Sequence, residues 1–300
     1  MPTHHAPHTV REWLLLAAPG LIWGASFLFI AEGLESMAPN GVTFARILIG
    51  FVTLSIVPAA RGPVRPGDHV GIFWLGVLWM AFPLSMFPFA EQHITSAMAG
   101  MLNGANPLFA VIVAALISRT MPTRSVMLGL LVGMSGTAMI AWPGLGAGRN
   151  SALGVGLVMA ALVSYGVALN LARPLQQRNG GLPVIWRALA VALVLTAPLG
   201  LPDLLAARWT ARSVLSMLML GSLGTALAQV LIARAAGKFG AATASSTNFL
   251  IPVVALGLGL VVRDEKVSAV SVLGCAVCLA GAWLISRRPA AAPSLTTSHR

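Results

Sequence analysis

The sequence predicts an all-α membrane protein of ten transmembrane helices built as two inverted five-helix repeats. Three observations carry that expectation. Charged residues are 9% of the 300-residue chain and apolar residues 57%, whereas a soluble domain carries roughly 25% charge. The few charges stand in short clusters between long uncharged runs. The second half repeats the residue order of the first at a nearly constant offset.

Taken in order, the runs 13–31, 70–90, 94–118, 125–148, 150–172, 213–233, 239–262 and 267–286 contain no Asp, Glu, Lys or Arg. Each approaches or exceeds the ~20 residues a helix needs to cross a hydrocarbon core of ~30 Å. Two further runs, 41–60 and 182–201, carry one arginine each, Arg46 and Arg187, which brings the spans to ten. Helices are expected because a backbone facing lipid must satisfy its own hydrogen bonds. The runs also lack the dyad alternation of a membrane barrel. The first run is long, has no A-x-A cleavage end and precedes nine others, so it reads as an uncleaved helix rather than a signal peptide. The tails 1–12 and 287–300 flank repeats at 13–148 and 149–286.

The net charge of +11 does not imply nucleic acid, because the basic residues punctuate loops instead of gathering on one face. The partners expected are the lipid bilayer and a small-molecule substrate. Cys275 and Cys278 have the spacing of a redox or metal pair. Without a second pair or a nearby His they read as small residues at a helix interface, and neither a metal nor a cofactor is expected.

Lys and Arg favour cytoplasmic loops. An inside N-terminus puts Arg11, Arg61, Arg65, Arg119, Arg124, Arg173, Arg178, Arg234, Lys238, Arg287, Arg288 and Arg300 on the cytoplasmic side. Only Arg149, Arg208, Arg212, Arg263 and Lys266 fall outside. Both termini are therefore expected in the cytoplasm, with the chain in the plasma (inner) membrane.

An offset of 145 superposes Ala97 on Ala242, Asn103 on Asn248, Pro107 on Pro252, Gly129 on Gly274 and Gly136 on Gly281. An offset near 142 puts Trp23-Gly24 on Tyr165-Gly166. Five helices is an odd number, so the second copy must be inverted. Loop charge agrees: segment 32–40 is acidic while its counterpart 172–181 holds Arg173 and Arg178. Inverted repeats are typical of transporters that open a midplane site to each side in turn.

Three segments then resemble a known family. LIWGASFLFIAEGLESMAPNGVTFARI, AEQHITSAMAGMLNGANPLF and LGTALAQVLIARAAGKFGAATASSTNFLIPVVALGLGLVVRDEKVS are similar to EamA-type members of the drug/metabolite transporter superfamily. The resemblance runs over about residues 13–286. It implies ten helices, a central cavity between helices 1–4 and 6–9, peripheral helices 5 and 10, and export or exchange of small metabolites. One departure stands out. Thr120 occupies the place where the family has an acidic residue, which the second half keeps as Glu265, so the first half is expected to lack an ion pair.

Polar groups at membrane depth are candidates for function. Trp23 and Tyr165 read either as an aromatic pair lining the cavity or as packing. Asn103 and Asn248 each lie four residues before a helix-breaking proline, Pro107 and Pro252, which leaves the asparagine carbonyl free. They read equally as polar sites or as interhelical glue. Asn170, Gln229 and Ser26 are further cavity candidates. Glu91 is a gate, a substrate ligand or a solvated helix end. Arg46 and Arg187 fall at equivalent positions 141 apart and read as opposite gates or as snorkelling anchors. For Arg46 the outer acids Glu32, Glu35 and Glu91 are the expected partners. Gly20-x-x-x-Gly24, Gly100-x-x-x-Gly104 and Gly129-x-x-x-Gly133 permit close helix approach, within the monomer or in a homodimer.

The function expected is secondary transport. There is no nucleotide-binding motif and no grouping of acids, His or Ser of the kind an embedded enzyme needs. The chain is therefore not expected to be an enzyme, and a channel or membrane-embedded enzyme is the alternative.

Overall fold

The computed structural model describes residues 9–146 and 149–286. The expectations for residues 1–8 and for the C-terminal tail with Arg287, Arg288 and Arg300 lie outside the described residues. So do the side chain of Arg149 and that of Ala242 in the repeat alignment.

In chain order the helices are α1 (Val10–Leu34), α2 (Pro39–Ser55), α3 (Pro66–Glu91), α4 (Ser96–Asn103 continued by Asn106–Ser118), α5 (Arg124–Gly146), α6 (Arg149–Asn179), α7 (Gly181–Leu205), α8 (Ala211–Phe239), α9 (Thr243–Val262) and α10 (Ala269–Ser286). Among the described residues eight of these are long and apolar enough to cross a membrane, and the bent α4 makes a ninth. The remaining helix, α2, has 17 residues.

Local chemistry sets the ends. Thr9 caps α1 in a reciprocal box: Glu12 N–H donates to Thr9 Oγ1, and Thr9 N–H donates to Glu12 Oε2. Pro39 opens α2, where its missing N–H costs nothing. Gly180 and Gly240, at φ of 82° and 84°, turn the chain between α6 and α7 and between α8 and α9. Only glycine adopts that backbone at little cost.

Two expected boundaries move. The span 41–60 ends as an α-helix at Ser55 and continues as a 3₁₀ turn over Pro58–Arg61. The segment 172–181, read as a loop from its arginines, is instead helix as far as Asn179. Its charges sit on a helical extension where Asn179 Nδ2 donates to Leu175 O at 3.0 Å and Arg178 pairs with Asp68 at 2.7 Å.

The glycine stripes pack within the chain. A Cβ on Gly20 would strike Thr247, and one on Gly24 would lie 2.6 Å from Val254 Cβ, both on α9. Gly100 and Gly104 likewise abut Ala255 and Pro252 of α9. On α5, Gly129 faces Gly281 and Ile285, while Gly136 touches the Cys278 backbone of α10. The two cysteines are buried and free, with Thr137 Oγ1 3.5 Å from Cys278 Sγ, so they serve that interface.

Around this interior lies a shell of bare apolar side chains, among them Met121, Val261, Leu205, Leu116 and Val194. Exposed apolar side chains on this scale mark a contact with lipid or another apolar partner. With the run of long apolar helices it identifies a multi-pass membrane protein.

Candidate functional site

Two helices depart from α geometry midway. In α3 the stretch Gly76–Ala81 is π-helical, and in α8 the stretch Met219–Leu227 is. Gly76 and Gly221 are 145 residues apart, the offset of the sequence repeat. Such bulges leave carbonyls off the regular ladder and recur at functional sites. Here they accept bonds from neighbouring helices. Trp23 Nε1 donates to Gly224 O at 2.9 Å, and Ser164 Oγ donates to Leu78 O at 2.7 Å.

Arg46 joins the same place. It is buried, and its Nε donates to Thr225 Oγ1 at 3.0 Å, whose hydroxyl donates in turn to Leu220 O at 3.2 Å. Ser26, bonded to Ile22 O, borders Gly224. Trp23, Ser26 and Arg46, drawn from α1 and α2, thus converge on two consecutive residues of α8. Tyr165 stands 6.1 Å from the Phe87 ring, which meets Phe27 edge-on at 5.4 Å. Arg46 lies within electrostatic reach of both Tyr165 and Glu91.

Other candidates stand apart. Asn170 Nδ2 donates to Ala110 O and Gly166 O at 3.0 and 2.8 Å, which ties α6 to α4. Asn103, Gln229 and Asn248 are half-buried and make no side-chain hydrogen bond among the described residues. α4 bends by 41° between Asn103 and Asn106, just ahead of Pro107. Ahead of Pro252, Ser246–Phe249 is a 3₁₀ turn. Arg187 is half-buried, donates to Pro183 O at 3.2 Å and lies 5.5 Å from the Trp186 ring.

The two ends of α1 carry ionic ties between the halves. At the Glu32 end, Glu32 is buried and binds two cations: Arg212, and Arg263 Nη1 at 2.6 Å. Arg263 Nη2 also holds Glu35 at 2.9 Å. Arg46 has no part in this cluster, although Glu32 and Glu35 were its expected partners. At the Glu12 end, Glu12 pairs with Lys238 at 2.8 Å, and Asp68 with Arg178. Partial burial disfavours the Arg263 cation, yet the bonds it donates to Glu35 and Glu32 more than compensate and hold its pKa above the usual value.

The sequence reading missed how Glu265 is used. Its carboxylate accepts from Ser96 N–H and Oγ–H at 3.0 and 2.7 Å and from Ala97 N–H at 2.9 Å, and so it caps α4 of the other half. A carboxylate at a helix N-terminus also meets the positive end of the dipole. Among the described residues, the Thr120 hydroxyl, at the corresponding place in the first half, meets only nearby Ser118, 2.6 Å away. Arg119 and Asp264, the residues before them, both adopt left-handed backbone at φ of 51° and 52°.

Glu32→Gln is expected to lower stability by about 2 kcal/mol, since a hydrogen bond to a charged group is worth ~1.5–3 kcal/mol and two guanidiniums lose their common anion. Glu35→Gln removes an exposed pair and is expected to cost under about 1 kcal/mol. Thermal melts of the purified variants test the contrast, and equal shifts would contradict the assignment.

These features define a class: a polytopic helical membrane protein with polar groups and loosened helices between two related halves. The chain belongs to the EamA-like transporter family, whose model matches residues 11–142 and again 152–287. It is similar to a protein of Streptantibioticus cattleyicolor described as a probable terminal-alkyne amino-acid exporter, with 30% identity over 89% of this chain and 90% of the relative. An uncharacterized transporter of Archaeoglobus fulgidus is 21% identical over 93% of this chain and all (100%) of its own length. The YdfC transporter of Bacillus subtilis is 25% identical over 87% and 86%. A crystal structure of a protein shares the fold with a TM-score of 0.61 at 18% identity, covering 90% of this chain and 99% of that one.

Proposed function

We propose that this chain is a secondary transporter that exports or exchanges a small metabolite across the plasma membrane by alternating access. In this reading all ten helices span the bilayer, the two five-helix halves are inverted, and both termini are cytoplasmic. The observation that carries the proposal is the double family match over related halves, together with a relative of near-equal length described as an exporter. The repeat-equivalent π-helical stretches in α3 and α8 support it, because each supplies a carbonyl to the other half's helices. Ionic ties at both ends of α1 support gating on each side. The relative's description favours a substrate of amino-acid size. A channel would need a continuous pore, and no feature of the described residues favours one.

Reconstitution into proteoliposomes tests the reading. Preloading with unlabelled propargylglycine, a terminal-alkyne amino acid, is expected to accelerate saturable uptake of the labelled compound. Linear, unsaturable flux would identify a channel instead. A reporter fused after Arg300 is expected to read cytoplasmic, and a periplasmic signal would overturn the orientation.

A further inference from the structure

Glu91 ends α3 with both carboxylate oxygens screened from water and without a hydrogen-bond partner among the described residues. Burying an unpaired carboxylate is costly, and native structures avoid it unless something else completes the group. Glu91 also lines a cleft of about 530 Å³ at the Glu32 end, together with apolar Met98, Met101 and Val267 and charged Arg263, Glu265 and Lys266. That size suits a small organic molecule.

Among the described residues, the bonds made by the charged neighbours of Glu91 go to groups other than Glu91. Glu265 holds three donors of α4. Arg263 is committed to Glu32 and Glu35. Arg46 is bonded through Nε to Thr225. His93 and Lys266 also line the cleft. Glu91 thus presents an uncommitted carboxyl group beside a cleft of mixed polar and apolar lining, and Phe87 lies one turn earlier on the same face of α3.

We propose that Glu91 is an ammonium-binding subsite, so that the carried molecule bears an amine. A primary ammonium supplies up to three donors for the two waiting oxygens, and a charge-assisted bond of this kind is short and strong. A hard divalent cation fits less well, because it takes six or more oxygen ligands. Met98, Met101 and Val267 offer contact to an aliphatic remainder. In this conformation the oxygens are sealed, so binding accompanies the opening of that end. The proposal rests on the transporter reading only for the step of carriage; binding itself does not depend on it.

Three probes separate the outcomes on protein in nanodiscs: propargylglycine, its methyl ester and its N-acetyl derivative. The first two keep the ammonium group and the third loses it. The first two are expected to bind saturably. The third is expected to bind at least about tenfold more weakly, a difference of about 1.4 kcal/mol. Glu91→Gln is expected to weaken the first two by a similar factor, and Glu91→Asp to retain most of their binding, with monodispersity checked for each variant. Equal binding of the N-acetyl compound, undiminished binding by Glu91→Gln, or no binding to the unmodified protein would each overturn the proposal. Binding without counterflow would remove the transporter reading and leave the subsite standing. Counterflow with unchanged half-saturation in Glu91→Gln would remove the subsite and leave the transporter.

Discussion

Gly281→Leu is expected to abolish recovery of folded protein. At this position α10 meets α5 backbone to backbone: an added Cβ would fall on Gly133 N and Cα and lie 2.7 Å from Gly129 O. Those are main-chain atoms within a helix, so no side chain can swing aside. Overpacking a well-packed interior costs ~1–3 kcal/mol when side chains can shift, and here the helices themselves must separate. Separation would also strip Thr137 from Cys278 and Ser271 Oγ from Ile140 O, now at 3.2 Å. In lipid such close packing is a main source of helix association. Gly156 is the control. A Cβ there meets nothing within 4 Å, and Ala in a helix is favoured over Gly by about 1 kcal/mol. Gly156→Ala is therefore expected to melt at or above the unmodified temperature. Size-exclusion profiles and melting curves of both variants decide the matter. A monodisperse Gly281→Leu with an unshifted melt would show that the α5–α10 contact is looser than the geometry implies.

The same pair of helices shows what a sequence can reveal. The spacing of Gly129, Gly133, Gly274 and Gly281 announces an interface, because only small residues allow backbones to touch. It does not name the partner, since that depends on how distant segments are brought together. The long uncharged runs announced the helices for an equally direct reason: lipid contact forbids charge along a whole segment. Ends were less legible. α6 continues to Asn179 because a helix can leave the hydrocarbon and carry arginines on its last turns, so charge marks the membrane boundary and not the helix boundary. Pairings were least legible. Glu32 bonds Arg212 and Arg263, and Glu265 bonds Ser96, over 180, 231 and 169 residues of chain. Nothing local distinguishes a carboxylate that caps a distant helix from one that meets water. Thr225 escaped notice for a related reason. A threonine in an apolar run usually bonds its own helix, and its second bond to Arg46 exists only because α2 crosses α8 at the π-helical stretch.

Arg46 and Arg187 occupy matching sequence positions, yet their surroundings predict opposite consequences of removal. Arg46 is 7% exposed, bonded to Thr225, and shares α8 residues 224–225 with the Trp23 indole. Arg187 is half-buried, rests on the Pro183 carbonyl of its own helix and on the Trp186 ring, and makes no ion pair among the described residues. An arginine so placed can reach the headgroups along its own apolar stem. Arg46→Leu is therefore expected to slow counterflow at least about tenfold, equivalent to ~1.4 kcal/mol, at normal membrane abundance. Arg46→Lys is not expected to restore it, because a lysine has no planar Nε group to meet Thr225 in this geometry. Thr225→Val removes the acceptor while keeping the cation, and is expected to reproduce part of the loss. Arg187→Leu is expected to stay within about twofold of the unmodified rate, as for exposed substitutions worth ~0.5 kcal/mol. Unchanged transport in Arg46→Leu would reduce both arginines to anchors. A loss in Arg187→Leu equal to that in Arg46→Leu would mean that the two halves use their arginines alike in a conformation other than this one.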